Sequence, residues 1–428
     1  MKLFYILFFF FLFDFIKADI TLVRDAESEE ILKEMAQQIF KVAKLRTESA
    51  KVYIINSEEI NAFTIGNGYI FITSGLLLFF DDPLQIVGIL CHETGHIAAG
   101  HINRKISAIQ NRSVNTTLAM LAGIIGASIT GSEKAMALAL GYVMTDERLF
   151  LRFSRGEELA ADALAVEYLE KLGYGADVLI DVFGTFNRMD HLTGGKNLPA
   201  YISSHPKPEE RIFAVQKHAK HRKYYADQDL LLRYKRIRLK IKAYLNKIDL
   251  KTVVPEDDYS KAIYFYRIGR TTDAINLLQH DNSRDIYQKE TLAQILYDSG
   301  QLKEAINIYE GIYSKNIHAL IKINYSNVLI EANTKVDIAI SILESLKYSE
   351  RFNSEVYRLL AKGYGKLGKK ELSMFMLAQE QMLLGNYHVA YKLINTCIEK
   401  LDKKNQKKAK YLKELLERDY REYIFRKF

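Results

Sequence analysis

Two cysteines in 428 residues, Cys91 and Cys397, leave no basis for a disulfide framework. They stand far apart in the chain, and Cys91 reads as a small buried apolar residue. Tryptophan is absent and prolines number only five, against heavy use of Lys, Ile, Asn and Tyr; this bias reflects the coding sequence and excludes no function. Long apolar runs are missing too. Leu3 to Phe13 is too short to span a bilayer, and so are 118–129 and 135–143, each below the roughly 20 residues that a spanning helix needs. The basic stretches from Lys217 to Lys242 and near the C-terminus lack interleaved aromatic platforms or a recognisable module, so nothing in them supports nucleic-acid binding. With a net charge of only +8, they read first as solvated helix faces and second as a surface for anionic partners or peripheral membrane contact.

The chain is 48% hydrophobic and long enough for two or three domains with substantial cores. Met1-Lys2, the short apolar run after it and Ile16-Lys17-Ala18 before Asp19 have the layout of a secretory signal peptide. Export with cleavage after Ala18 is expected, an uncleaved anchor being the alternative; with no Cys at the cleavage position, a lipoprotein is excluded.

The most specific motif is His92-Glu93-Thr94-Gly95-His96. Residues four apart share a helix face, so both imidazoles can reach one ion, while Glu93 sits about 100° round, where it can address a metal-bound water. Asp81-Asp82-Pro83 supplies a helix start and the apolar run 84–90 carries one helix through to about Ile102, with both histidines at its middle. The competing interpretation is a helix with two satisfied core histidines. Catalytic zinc takes three protein ligands and keeps one position open. A second segment, Ser154 to Asp162, offers Glu158 and Asp162 four apart on one face, with small Ala160 and Ala161 between them to permit close helix approach. Glu158 is then the third ligand and Asp162 an acceptor that orients a ligating ring. Glu157 faces elsewhere, into solvent; on the residues alone, the choice of Glu158 over Glu157 rests only on the face shared with Asp162.

Around this core, Ala26 to Leu45 reads as an amphipathic helix, and Val52 to Ile55, Asn61 to Ile65 and Tyr69 to Thr73 as short strands with a turn at Gly66-Asn67-Gly68. An edge strand just before the metal helix suits a peptidase, because it can hold an extended substrate backbone. Segments 118–129 and 135–143 read as a helical hairpin packed over the metal helix or lying on a membrane surface. From Pro255 onward, helix-period segments alternate with Gly breaks, and Gly269 with Ala274, Gly300 with Ala305 and Gly385 with Ala390 repeat a submotif; the intervals from Gly269 to Gly300 (31) and from Gly300 through Thr334 to Gly368 (34 each) approach the 34 residues of tetratricopeptide helix pairs. A degenerate α-solenoid is expected there, with the boundary near Ile248 to Asp258.

Taken together, His92 to His96 with His101 following, Ser154-Arg155 through Glu158 and Ala161-Asp162, and Ser204-His205-Pro206 before Glu210-Arg211 resemble the BepA-like periplasmic branch of the gluzincin zinc metallopeptidases, relatives of HtpX and the CAAX prenyl proteases. The likeness covers nearly the whole chain after the signal; its catalytic motifs are specific and its repeats are not. Ile65-Gly66-Asn67-Gly68 departs from the Pro-Gly-Gly turn more usual in that family. The resemblance implies an α+β, mostly α-helical chain: a signal peptide at 1–18, a zincin-type metallopeptidase domain with a small β-sheet at 19–250, and an α-solenoid of TPR-like helix pairs at 255–428. It implies Zn2+ on His92, His96 and Glu158, and Glu93 as general base in attack by zinc-bound water. His205, whose backbone Pro206 restricts, either donates to the oxyanion or fills the fourth zinc position until substrate displaces it, with Arg211 anchoring its loop by an ion pair; a plain surface histidine is the alternative, and the family position favours a site role. His101, roughly 140° off the ligand face, contacts a helix neighbour rather than zinc. The implied activity is cleavage of misfolded or stalled outer-membrane proteins in the periplasm, with the outer-membrane β-barrel assembly machinery as the solenoid's partner. A TPR-based chaperone or assembly factor with minor or self-inhibited hydrolysis is the chief competitor, and an integral-membrane protease the third reading.

Overall fold

The structure is a computed structural model that describes residues 22–110, 153–193, 199–205, 208–218, 225–245, 257–279, 285–350 and 353–419. The expected signal peptide, the apolar segments 118–129 and 135–143, and most of the expected domain boundary lie outside the described residues.

The first helix, α1 (Ala26–Val42), starts where the Asp25 carboxylate accepts the Ser28 amide, and it buries Ile31, Leu32, Met35 and Ile39 on one face. It is preceded by β1 (Leu22–Val23), two residues long and too short to leave a periodic signal. β2 (Lys51–Ile55), β3 (Ala62–Gly66) and β4 (Tyr69–Thr73) follow, and the sheet runs in the order β1-β2-β4-β3. β2 and β4 are parallel, while the β1–β2 and β3–β4 pairs are antiparallel. The turn that departs from the family pattern closes tightly on Asn67 (φ 52°) and Gly68 (φ 85°), both left-handed as a type I′ hairpin requires. β3 is therefore a sheet edge, yet all five of its residues are buried.

A short α2 (Ser74–Phe79) leads to α3 (Pro83–Ala98), capped by Asp82, which accepts the Leu84 amide, with Pro83 at its first position. This helix does not reach Ile102 as the apolar run suggested. It stops at Ala98, Gly100 takes φ 65°, and α4 (His101–Gln110) starts in a new direction. The described chain continues with α5 (Arg155–Lys171), α6 (Asp177–Thr193), α7 (Ala200–Ser204), α8 (Pro208–His218) and α9 (Gln228–Tyr244). α3 sits at the centre of this unit, packed against α1, α5, α6 and β3. One apolar core joins α1, the sheet, α3, α5, α6 and α9, and it includes Cys91 as the sequence suggested.

Beyond residue 257 the described residues form ten α-helices in five pairs: α10 (Asp258–Arg267) with α11 (Thr271–Gln279), α12 (Ile286–Asp298) with α13 (Leu302–Ile312), α14 (Ala319–Glu331) with α15 (Val336–Leu346), α16 (Ser354–Lys366) with α17 (Lys370–Leu383), and α18 (Tyr387–Cys397) with α19 (Lys403–Asp419). Gly269, Gly300, Gly368 and Gly385 all take positive φ between paired helices or between successive pairs, and Asn333 and Lys335 do the same at the position where the repeat lacks glycine. Ala274, Ala305, Ala339 and Ala390 are fully buried where helices cross. The pairs share a second core, which also takes in Ala26 from α1 and Ala243 from α9.

A buried ionic junction ties the two units. Lys240 Nζ on α9 lies 2.5 Å from Asp25 and 3.3 Å from Glu27, Arg236 Nε is 2.8 Å from Glu27 and also pairs with Asp285, and the Tyr259 hydroxyl donates to Glu27. Removing the cation leaves a buried carboxylate cluster, an arrangement that costs about 3–5 kcal/mol when one partner is deleted. Lys240→Ala is expected to lower the urea midpoint accordingly, whereas the exposed pair partner Lys171→Ala is expected to leave it within about 0.5 kcal/mol of wild type.

Candidate metal centre

His92, Glu93 and His96 project from the last two turns of α3, not from its middle as a helix running to Ile102 would have had it, and are fully buried. The two histidine rings meet edge to face with centroids 4.6 Å apart, and their Nε2 atoms are 3.0 Å apart. α5 crosses against this turn because Gly95 has no side chain: a Cβ there would stand 2.7 Å from the Ala161 carbonyl oxygen. That approach, and the capping box in which Ser154 and Glu157 exchange bonds at the start of α5, deliver Glu158 to the site. Its oxygens lie 3.5 Å from His92 Nε2 and 3.5 Å from His96 Nε2. Glu157 is thus half-buried in the cap rather than simply solvated.

A third imidazole completes the group. His205, at the end of α7, places Nδ1 3.2 Å from His92 Nε2 and 3.0 Å from Glu158 Oε1, while its Nε2 is 3.5 Å from Glu93. Its segment is stitched in place by the Tyr201 amide, which donates to the Ile60 carbonyl just ahead of β3, and by the Phe153 amide, which donates to the Ser204 carbonyl. The Phe153 ring lies on His96 at 3.7 Å between centroids. Sequence reasoning missed Phe153 and Tyr201; neither carries a motif, and both reach the site from distant segments.

Arg211 on α8 holds the far side. Its Nε and Nη2 donate to the two Asp162 oxygens at 2.8 and 2.7 Å, its Nη1 is 3.1 Å from Glu158, and its plane covers the Phe183 ring. The expected anchoring of the His205 loop is its weakest contact, a 3.4 Å bond to the His205 carbonyl. Its main partners are the carboxylates. Asp162 Oδ1 in turn receives His92 Nδ1 at 2.8 Å. All seven residues singled out in the sequence therefore meet in one buried cluster.

The donor set suits a cation. With its Nδ1–H given to Asp162, His92 turns an unprotonated Nε2 inward, where it faces the nitrogen of His96 at 3.0 Å; two such lone pairs repel unless a positive charge lies between them. Metal–donor distances of about 2.0–2.2 Å around a tetrahedral ion put ligand atoms about 3.3–3.5 Å apart, close to the separations among His92, His96, Glu158 and His205. The donor atoms of these four all fall within 4.8 Å of one another. The Glu93 carboxyl makes no close side-chain hydrogen bond among the described residues; its polar neighbours are the Thr64 backbone and His205 Nε2 at 3.5 Å.

Electrostatics divide the acids by role. Burial pushes the Glu93 carboxyl up to about 7, with His205 opposing. Burial works against the Glu158 charge as well, but His205 and Arg211 outweigh it and hold this carboxyl well below the usual range. Arg211 does the same for buried Asp162. Burial lowers His92 and His96, keeping both rings neutral as ligation requires. His205 is also disfavoured as a cation by burial, but Glu158 and then Glu93 raise it above the ordinary histidine value.

Residues 23–219 match the model of Peptidase family M48. Over 378 residues, 84% of this chain and 76% of the relative, the sequence is 21% identical to the beta-barrel assembly-enhancing protease of Yersinia pestis. It is 24% identical over 361 residues to the putative beta-barrel assembly-enhancing protease of Vibrio cholerae, covering 79% of this chain and 73% of that one. A shorter likeness, 28% over 165 residues or 38% of this chain and 30% of the relative, links it to the mitochondrial metalloendopeptidase OMA1 of Arabidopsis thaliana.

Two outcomes follow from the geometry. Gly95→Ala forces α5 away from α3, with an overpacking cost of about 1–3 kcal/mol, and is expected to lower both the melting temperature and the zinc bound per chain. Because the folded pKa of Glu93 is raised from an ordinary 4.5 to about 7, the metal-free native state binds an extra proton between those values. Its stability therefore falls as pH rises through that window, by up to about 1.4 kcal/mol per unit. Glu93→Gln lacks this contribution, so the stability difference between wild type and variant, measured by urea unfolding from pH 4.5 to 7.5, is expected to shift steadily against wild type.

Proposed function

We propose that the chain, whose residues 23–219 match the model of Peptidase family M48, is a zinc metalloendopeptidase that uses His92, His96 and Glu158 as metal ligands and Glu93 as general base. The observation that carries these roles is the buried Glu93 carboxyl beside three converging donors. Zinc, when bound, supplies a Lewis acid that polarises a peptide carbonyl and acidifies water. Glu93, next to the two histidines on the same helix, is placed to take a proton from attacking water and pass it to the departing amine. Asp162, fixed by Arg211, holds the His92 ring in the ligating orientation. The β3 edge beside α3 is suited to receive an extended substrate backbone by strand addition.

His205 supports a self-inhibited resting state. Its Nδ1 stands where a fourth zinc donor belongs, and the cluster and β3 are all buried, so substrate entry requires the α7 segment to withdraw. The five helix pairs, read as a TPR-like solenoid over 255–428 beside a peptidase unit over 19–250, suit a surface for unfolded or misassembled outer-membrane proteins, or for the β-barrel assembly machinery. The names of the Yersinia and Vibrio relatives support a role in β-barrel protein assembly, and the expected signal peptide places that role in the periplasm. No helix among the described residues is long and apolar enough to cross a membrane. A closed site also favours a second reading, in which helix-pair binding is the main activity and hydrolysis is minor.

Cleavage of casein or of unfolded outer-membrane protein by wild type, Glu93→Gln and His205→Ala, with zinc assayed in each, tests both. Glu93→Gln is expected to keep its zinc and lose about 10²–10⁴ in rate, and His205→Ala to cleave faster than wild type. If no form cleaves despite full zinc, the assembly-factor reading replaces the first.

A further inference from the structure

α3 and α4 are separated by a corner whose purpose lies at the metal site. The Ala99 amide donates to the Gly95 carbonyl and the Gly100 amide to the Ile97 carbonyl, and Gly100 takes φ 65°. On an unbroken helix a residue five positions after His96 points roughly 140° away from it. The left-handed corner instead folds His101 back, so that its ring centroid is 4.9 Å from that of His96 and the two Nδ1 atoms are 2.8 Å apart, both rings being buried.

Two ring nitrogens at that separation share one proton. His96 faces the donor set with Nε2, whose lone pair must be free for a metal, so the proton resides on His96 Nδ1 and His101 Nδ1 accepts it. We propose that His101 is a positioning residue of the zinc site: it fixes the tautomer and orientation of His96, and Gly100 is the backbone corner that lets it reach. His92 has the matching support from Asp162, an anion held by Arg211. On the His96 side the acceptor is a neutral imidazole, which supplies the same directional contact without adding a further carboxylate to a site that already buries Glu93, Glu158 and Asp162. The Phe153 ring against the face of His96 restrains the same imidazole from the remaining direction.

This inference rests on His96 being a ligand as proposed above. The test is zinc affinity of the full chain, measured by competition with a chromogenic chelator, for wild type, His96→Ala, His101→Phe, His101→Gln and Gly100→Ala, with circular dichroism of each metal-free protein. Loss of a group that orients a ligating histidine weakens metal binding about 10- to 100-fold. That loss is expected for His101→Phe, which keeps a ring but no acceptor, and for Gly100→Ala, which keeps His101 but strains the corner. His101→Gln, whose amide oxygen can accept the same proton, is expected to recover most of the affinity. Wild-type affinity in His101→Phe, or equal weakness in folded His101→Gln and His101→Phe, overturns the assignment. If His101→Phe does not fold, His101→Gln against Gly100→Ala decides: both near wild type overturns it. Retention of zinc by His96→Ala sinks the ligand assignment itself, a result distinct from failure of the His101 contact.

Discussion

Solvent is excluded from a space that holds Glu93, Glu158, Asp162, Arg211 and three imidazoles, so their charges must cancel almost locally. Arg211 and His205 hold the Glu158 carboxyl low and Arg211 does so for Asp162, while burial raises Glu93 to about 7 and the neighbouring carboxylates raise His205. A cation among these donors favours their deprotonated forms, so metal and protons compete for the same electrostatic hole. The rest of the local architecture keeps that hole dry and the same size.

Two contacts set its dimensions. The α3–α5 crossing at Gly95 and Ala161 fixes how far Glu158 stands from the histidines. Arg211 fixes Asp162 and therefore the His92 ring, and it connects both to the carbonyl of His205. The segment that carries His205 is bonded to Ile60, two residues ahead of β3, on one side and to Phe153, just ahead of α5, on the other. A movement that releases the fourth donor position must therefore also disturb the strand edge suited to substrate, so the two events belong to one opening.

Much of this was legible in the residues. Spacing of four puts His92 with His96 and Glu158 with Asp162, and small residues at 95, 160 and 161 announce a close helix crossing. Glycine breaks with buried alanines marked the helix pairs, although at 333–335 the left-handed positions are filled by Asn and Lys. What periodicity could not show is where a helix stops when its apolar pattern continues. The α3 run reads on to Ile102, and only the backbone at Gly100 reveals that His101 returns to the site. Nor could it show contacts made across long stretches of chain: the Arg211 fork on Asp162, the Phe153 face on His96, or the pairing of Lys240 with the start of α1. β1, two residues long, is defined by its partner strand rather than by its own sequence.

The first turn of α1 belongs to two cores at once. Ala26 packs with the helix pairs while Ile31 and Leu32 pack around the metal helix, and Asp25 and Glu27 find their cations on α9. A fragment cut in the segment after Tyr244 would keep the carboxylates and Lys240 but expose Ala26 and Ala243, and it would strip Arg236 of Asp285. The helix pairs, released alone, would lose two residues from their own apolar interior. Cutting this chain between the two units therefore exposes apolar surface and strands charge on both sides of the cut.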